Sequence, residues 1–487
     1  VSAVPARPGA VAAPAVIERA LDRATGARAI PGNALRHVPD SARALDLMLE
    51  RIGGARAWVH FENYIIRSDR TGRRFAAALA ERARAGVAVR VLYDALGSFG
   101  TRRRLWRDLR AAGADVRAFN PLRATAPLHA LRRDHRKLLV VDGTDAVVGG
   151  ICIGDEWAGD PARRRQPWRD TAVELRGPAA IALDRAFARS WAHAGPPLDR
   201  RELAASVPAG GPSWVRVVEG VPGRSRTYRA EQLLAAGVSE RLWITDAYLV
   251  APPPLYASLI DAARGGVDVR LLLPGSTDIP LVRALTRVGY RDLLRAGVRI
   301  FEWRGPMIHA KTMLADRQWV RIGSSNLNPS SLLANYELDV LVECDRLAEE
   351  LAAQYRHDLA WSREILLRPR RLAMPPRLVT ADAPALPAPD AAPPPPHARS
   401  VRERRAAAAI TLLQVAGGLR RAIAGVVALG LVGLGVLLLV FPDVMSVVLA
   451  AGALWLGGSL GWYAVARRGR SGGAAGAGDE PVIDDGV

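Results

Sequence analysis

Only two lysines occur among the 67 Lys and Arg residues of the 487-residue chain, and both stand two positions after a histidine. One segment reads His135-Arg-Lys137-Leu-Leu-Val-Val-Asp142, followed by Gly149-Gly150-Ile151-Cys152. The other reads His309-Ala-Lys311-Thr-Met-Leu-Ala-Asp316, followed by Gly323-Ser324-Ser325-Asn326, with the same spacing and no gap. The match continues upstream, where Arg84–Leu92 parallels Arg264–Leu272 and Leu109–Gly113 parallels Leu294–Gly297. A period of roughly 175–185 residues is far too long for a solenoid and marks the duplication of a whole domain. Arginine offers a wide planar fork and lysine a compact point charge on a flexible stem. A chain that uses arginine nearly everywhere, yet keeps lysine at these two positions, needs the compact ammonium there.

Within each copy the predicted order is strand, helix, strand, helix, strand and then the His-x-Lys hairpin. Ala76–Ala85 and Leu255–Arg264 read as helices, and Ala88–Tyr93 and Asp268–Leu273 as buried strands. Trp58–Ile66 and Trp243–Val250 are the apolar runs that precede them. Strands alternating with helices predict an α/β layered fold with a largely parallel sheet. Two such domains packed about a pseudo-two-fold would bring their matching strands together.

Residues i and i+2 share a face of a strand, so His135 and Lys137 point the same way, as do His309 and Lys311. Packed face to face, the halves make one site with two imidazoles and two ammoniums, an array suited to a phosphodiester. The lysines neutralise the non-bridging oxygens as charge builds in the transition state. One imidazole attacks phosphorus to form a covalent phosphohistidine. The other protonates the departing alkoxide and then deprotonates the acceptor. This chemistry calls for no metal or other cofactor. An attacking imidazole must be held in one tautomer by an acceptor on its other nitrogen, and Asp170 and Glu337, which open matching strand-like runs, are the candidates. Asp142 and Asp316 fall on the opposite strand face. Asp142 is followed by Gly143 between two apolar runs, a hairpin signal that makes these aspartates turn and support residues. Tyr64/Tyr248 and Trp58/Trp243 fill the core or line the cleft, and the histidines without a repeat partner take surface or packing roles.

Two cysteines exclude a disulfide scaffold, and the absence of a C-x-x-C pair excludes zinc-ribbon and thioredoxin-type chemistry. No charged n-region followed by a Leu/Val run opens the sequence, so no cleaved secretory signal is expected. The net charge of +19 points to an anionic partner, nucleic acid or an acidic membrane surface. Charge alone does not separate the two.

The paired His-x-Lys-x4-Asp motifs resemble those of the phospholipase D superfamily. Phe61–Ile66 with Asp69 and Gly72, Arg133–Lys137, Trp168–Thr171 and Ser331–Glu337 are similar to its bacterial cardiolipin synthase branch, over roughly residues 31–365. The resemblance implies two phospholipase D-like α/β/α domains, with a catalytic set of His135, Lys137, Asp142, His309, Lys311 and Asp316. It implies support from Asp170, Glu337, Ser324, Asn326 and Cys152. It also implies transfer of a phosphatidyl group between two phosphatidylglycerol molecules, giving cardiolipin and glycerol. Hydrolysis of the same intermediate stays open, as does the nuclease activity of some superfamily members. Cys152 departs from the pattern, which has Asn there.

The C-terminal part changes character. Residues 372–404 form an Ala/Pro-rich linker with Pro393–Pro396 at its centre. Ala422–Phe441 and Val444–Ala466 are uncharged runs, each long enough to span a bilayer, joined by Pro442-Asp443. Arg420-Arg421 and Arg467, Arg468 and Arg470 flank them, which places both ends in the cytoplasm. The expected organisation is an extension (1–30), a first domain (31–205), a second (206–371), the linker, an interfacial helix (405–419), a transmembrane hairpin (420–468) and a tail (469–487). A membrane-tethered catalytic unit acting on an anionic phospholipid, facing the cytoplasm of a bacterial inner membrane and with no nucleic-acid partner, is the simplest account.

Overall fold

The computed structural model describes residues 12–121, 132–224, 226–368 and 371–378. Helix α1 (Ala12–Thr25) comes first. The first half then follows as strand β1 (Ile30–Val38), α2 (Ser41–Gly53), β2 (Trp58–Asn63), α3 (Arg70–Arg84), β3 (Ala88–Asp94), α4 (Arg103–Ala111) and β4 (Asp115–Phe119). It continues with β5 (Lys137–Val141), β6 (Asp145–Gly149), α5 (Asp155–Ala158), β7 (Ala172–Arg176) and α6 (Ala179–Ala194). The second half repeats the plan: β8 (Ser213–Gly220), α7 (Arg226–Gly237), β9 (Arg241–Thr245), α8 (Pro253–Arg264), β10 (Asp268–Pro274), α9 (Pro280–Val288), α10 (Tyr290–Arg295) and β11 (Arg299–Trp303). Its hairpin strands are β12 (Thr312–Ala315) and β13 (Trp319–Gly323), followed by β14 (Glu337–Glu343), α11 (Asp345–Ala360), β15 (Ser362–Arg368) and β16 (Arg371–Leu378).

The sheet order exposes the duplication. From β1 outward the first half runs β1-β7-β6-β5-β2-β3-β4, and from β8 the second runs β8-β14-β13-β12-β9-β10-β11, extended by β15 and β16. The halves join where β1 pairs antiparallel with β8. Only β2-β3-β4 and β9-β10-β11 are parallel. The expectation of a largely parallel sheet is therefore corrected. Helices α3 and α4, and α8, α9 and α10, carry the chain between these neighbouring strands, whereas short hairpins such as β5–β6 and β12–β13 impose antiparallel pairing.

Strand β5 shows why its run is unbroken in hydrophobicity. Leu138 and Val140 enter a core shared by both halves, with α6 and α11, while Leu139 and Val141 enter the first half's own core under α2 and α3. A strand buried on both faces needs no polar alternation. In β12, Leu314 joins the shared core and Met313 and Ala315 the second half's own. The shared core fixes the two halves against each other.

The hairpin turns match their spacing signal. Asp142 and Gly143 both adopt positive φ, as does Asp316. The Asp142 carboxylate accepts from the backbone N–H groups of Arg56, Ala57 and Trp58 at 2.8–2.9 Å, tying the turn to the start of β2. Asp316 does the same for Ser239 and Glu240 before β9. Asp69 caps α3 by accepting from Gly72 N, and a Cβ at Gly72 would lie 1.7 Å from Arg67 O.

At the chain's N-terminal side, Leu21 of α1 is buried in the second half's core, and the buried Arg216 binds Glu18 and Asp22 at 2.7 Å. At the other end β16 pairs with β15, so the sheet runs to Leu378, past the expected boundary at 371. No helix of the described residues is long and apolar enough to cross a membrane. The expected hairpin (420–468), the interfacial helix (405–419), the tail (469–487) and most of the linker lie outside the described residues.

Candidate active site

His135 and His309 stand just before β5 and β12, at symmetry-related places where chain segments cross between the halves. His135 N donates to Tyr336 O at 2.9 Å and Tyr336 N to Arg133 O at 2.8 Å. In mirror fashion, His309 N donates to Arg169 O at 2.7 Å and Arg169 N to Met307 O at 2.8 Å. These exchanges carry each carboxylate into the other half. His135 Nδ1 lies 3.0 Å from both oxygens of Glu337, and His309 Nδ1 lies 2.7 Å from Asp170 Oδ2. The sequence identifies Asp170 and Glu337; that each serves the opposite histidine is a property of the fold. With Nδ1 engaged, Nε2 of each imidazole is left for a substrate.

Lys137 and Lys311 are buried with the histidines, and the ammonium of each donates to the carbonyl of the histidine two residues before it. Lys137 Nζ lies 5.1 Å from the centre of the Tyr64 ring, whose edge meets His135 at 4.8 Å. Lys311 Nζ lies 5.8 Å from Tyr248, whose ring meets His309 at 5.9 Å. The tyrosine pair thus lines the site on both sides. Each aromatic face tolerates a cation while leaving the remaining ammonium protons free for phosphate oxygens.

Gly150 and Ser324 occupy equivalent positions and explain the different carboxylates. A Cβ at Gly150 would lie 2.3 Å from Asp170 Oδ1, so glycine lets the shorter acid seat itself. Ser324 instead donates its hydroxyl to Glu337 Oε2. Trp157 Nε1 donates to Asp170 Oδ2 at 3.2 Å, and the Thr171 N–H to Oδ1 at 2.8 Å. At the same spacing the second half has Ser331, which likewise hydrogen-bonds its own carboxylate, Glu337, so an unlike residue type hides the shared role. Cys152 and Asn326 are both buried beside the lysines; Oδ1 of Asn326 has no hydrogen-bond partner.

The motif aspartates are not brought to this site. Asp142 and Asp316 follow the far ends of β5 and β12, in the turns described above, and act on backbone. Of the other histidines, His60 is a buried packing residue, stacked on Phe187 with Asp184 at 2.5 Å from Nδ1.

The electrostatics of the two pairs differ. Burial, with Lys137 and Lys311, holds His135 well below the usual imidazole range. Burial also pushes the Glu337 carboxyl up to about 7, against the pull of Lys137. At neutral pH His135 is therefore an uncharged imidazole facing a carboxyl near its ionisation point. Burial would raise Asp170 as well, but His309 and Lys311 outweigh it and hold Asp170 below the ordinary carboxylate range. His309 is lowered to about 4 by burial and then Lys311, opposed by Asp170. Burial brings Lys311 down to about 8, and pushes the Cys152 thiol up.

Comparison with known proteins agrees with this geometry. A family profile described as "Cardiolipin synthase, PLD-like domain" matches residues 48–156 and 231–359, one stretch in each half. Cardiolipin synthase A of Pseudomonas aeruginosa is 34% identical over 365 residues, 72% of this chain and 72% of its own. A cardiolipin synthase of Staphylococcus aureus is 31% identical over 346 residues, 68% of each. Among solved structures, phosphatidylserine synthase of Haemophilus influenzae superposes with a TM-score of 0.55 at 14% identity, covering 72% of this chain and 92% of that one, a likeness of fold. With two such stretches and relatives aligned across both halves, the chain belongs to the bacterial cardiolipin synthase branch of the phospholipase D superfamily.

Proposed function

We propose that this chain makes cardiolipin by phosphatidyl transfer between two phosphatidylglycerol molecules, through a phosphohistidine on His135. The observation that carries the reading is the crossed pairing of His135 with Glu337 and of His309 with Asp170 around two buried lysines.

Nε2 of neutral His135 attacks the phosphorus of the first phosphatidylglycerol. The phosphorus–oxygen bond to its glycerol headgroup breaks, and the leaving oxygen takes a proton from His309. Lys137 and Lys311 hold the charge that gathers on the non-bridging oxygens. Glycerol departs. A headgroup hydroxyl of the second phosphatidylglycerol then gives its proton to His309 and attacks phosphorus. The P–N bond breaks, cardiolipin leaves and His135 is restored. The ionised Asp170 favours the imidazolium of His309, the form needed for an acid, and arrival of a phosphodiester anion offsets the lysines' depressing field. Burial and the two lysines keep His135 neutral, the form needed for a nucleophile, and Glu337 accepts from its Nδ1–H, which leaves the lone pair on Nε2.

The two uncharged runs, Ala422–Phe441 and Val444–Ala466, support a transmembrane hairpin that tethers the enzyme to the bacterial inner membrane, and the flanking arginines support a cytoplasmic catalytic unit. The test is incubation of the purified full chain with headgroup- and acyl-labelled phosphatidylglycerol. Cardiolipin and free glycerol in equal amounts are expected. Phosphatidic acid as the main product would replace transfer by hydrolysis, and no turnover would overturn the reading.

A further inference from the structure

Around the site opening the two halves carry matching apolar tips. Lys137 pairs with Asn63 at the end of β2, and Asn63 with Tyr93 near the end of β3, so the loop after β3 lies at the site end of the sheet. The loop after β10 is its equivalent. Phe99 and Ile279 each stand five positions past the end of these strands and are 76% and 43% exposed. Leu96 in the first loop and Leu281 in the first turn of α9, at positions that do not correspond, are 46% and 55% exposed. Scattered exposed apolar residues need no explanation, but a set that repeats with the fold around one opening does.

Both loops are built onto the site. Ser98 Oγ donates to Tyr64 O at 3.1 Å, and a Cβ at Gly97 would lie 2.7 Å from the Tyr64 ring, which faces His135. Tyr248, facing His309, donates its hydroxyl to Asp278 at 2.8 Å, immediately before Ile279. Charge lies directly behind the tips. Arg102, Arg103 and Arg104 are exposed after Phe99, and α9, which carries Leu281 and Arg283, has no buried residue.

Resting on the proposed action on phosphatidylglycerol, we infer that these paired loops are a second membrane contact of the catalytic unit, separate from the hairpin. Phe99, Leu96, Ile279 and Leu281 enter the acyl region of an anionic bilayer, and the exposed Arg102, Arg103 and Arg104 meet its phosphates. That order of apolar tip and basic base matches the layering of an interface. It places the site opening at headgroup depth, so a phosphatidyl group reaches His135 without either acyl chain crossing water.

The full chain, reconstituted in phosphatidylglycerol vesicles carrying a photoreactive acyl chain, tests the contact directly. Adducts are expected in peptides 95–104 and 276–288. Their absence from both, with adducts elsewhere in the chain, would overturn the inference. The double variant Phe99→Ser/Ile279→Ser should lose about tenfold or more in turnover on bilayer phosphatidylglycerol, because burial of two such side chains is forfeited. Turnover on monodisperse short-chain phosphatidylglycerol should be unchanged. Equal loss on both substrates would make the loops part of the site rather than a docking surface. Loss of a detergent-stable dimer in the variant, without lipid adducts, would make them a self-association face and also overturn the inference. Wild-type protein that yields adducts but no cardiolipin would refute the proposed reaction and leave the membrane contact standing.

Discussion

Glu337 of the second half holds Nδ1 of His135 of the first, both carboxylate oxygens at 3.0 Å. Asp170 and His309 repeat the relationship in the other direction. Neither half therefore holds both members of either of these two pairs. Glu337→Gln and Asp170→Asn should each lower turnover by about a hundredfold, within the range expected for losing an orienting partner in acid–base catalysis. Trapping radiolabelled phosphate on the protein after an alkaline denaturing quench separates them. Glu337→Gln should slow formation of the adduct on His135. Asp170→Asn should slow proton delivery to the leaving group, so a substrate with an activated leaving group should restore adduct formation in that variant alone. Rescue in both or in neither would refute the division of roles.

The seat of Asp170 gives a sharper steric test. A methyl at position 150 would fall 2.3 Å from Asp170 Oδ1. Gly150→Ala should displace that carboxylate from His309 and cut turnover by about tenfold or more, with stability lowered by roughly 1–3 kcal/mol for the forced shift. Ser324→Ala, at the equivalent place, forces no clash; it removes the hydroxyl that donates to Glu337 and accepts from Leu338 N and should cost turnover less, with stability lowered by about 1–2 kcal/mol. Activity and thermal melts of the two variants check the order.

Lysine titration predicts an alkaline limb. Burial brings Lys311 down to about 8, and only its charged form neutralises phosphoryl oxygens. In kcat/KM, which reports the free enzyme, activity should fall as pH rises through about 8. A bound phosphodiester anion favours the ammonium, so the limb in kcat should lie at higher pH. Lys311→Arg keeps the charge but widens the head; it should abolish this limb and lower turnover at every pH. An unmoved limb in that variant would assign it to another group.

Much of the site was legible because duplication supplies its own control. Lys137 and Lys311 stand out as the chain's two lysines, each two positions after a histidine, and laying the two copies together brings forward Asp170 and Glu337. The i, i+2 spacing places each histidine and lysine on one face, and the Asp142–Gly143 turn separates Asp142 from the chemistry. What the alignment does not carry is pairing across the halves. The bond from Glu337 to His135 depends on the antiparallel union of β1 with β8 and on the shared core, neither of which leaves a local pattern. Trp157 donates to Asp170 from the position where the second half has Ser331 on Glu337, a match that unlike residue types conceal, and the exchange of Gly150 for Ser324 makes sense only beside the unequal lengths of Asp170 and Glu337. The antiparallel majority of the sheet was hidden for a related reason: a buried strand reads alike in either direction.

The end of the catalytic unit follows from β16. A chain ending after Leu378 keeps β16 paired with β15, whereas one ending at Arg371 removes it and bares the β15 edge. The longer truncation should fold and be released from membranes by high salt, the full chain should require detergent, and the shorter truncation should aggregate more readily. Resistance of the Leu378 truncation to salt and alkaline extraction would require an anchor other than the proposed hairpin at 420–468.

Cys152 is the one departure from the family pattern inside the site. It stands where the second half has Asn326, buried beside both lysines, and burial pushes its thiol up, away from the reactive thiolate. A thiol is a weak hydrogen-bond donor compared with a side-chain amide. Its presence therefore costs one neutral contact to a phosphate oxygen, about 1 kcal/mol, in an array that keeps two ammoniums. A nucleophilic cysteine would also leave His135, already held by Glu337, without a task. Cys152→Asn should keep or raise turnover, Cys152→Ser should change it by less than about threefold, and the intermediate, trapped by an alkaline denaturing quench, should carry phosphorus on His135. Phosphopeptide mapping decides the matter: an adduct on Cys152, or loss of turnover in Cys152→Asn with the fold intact, would remove the histidine mechanism from this enzyme.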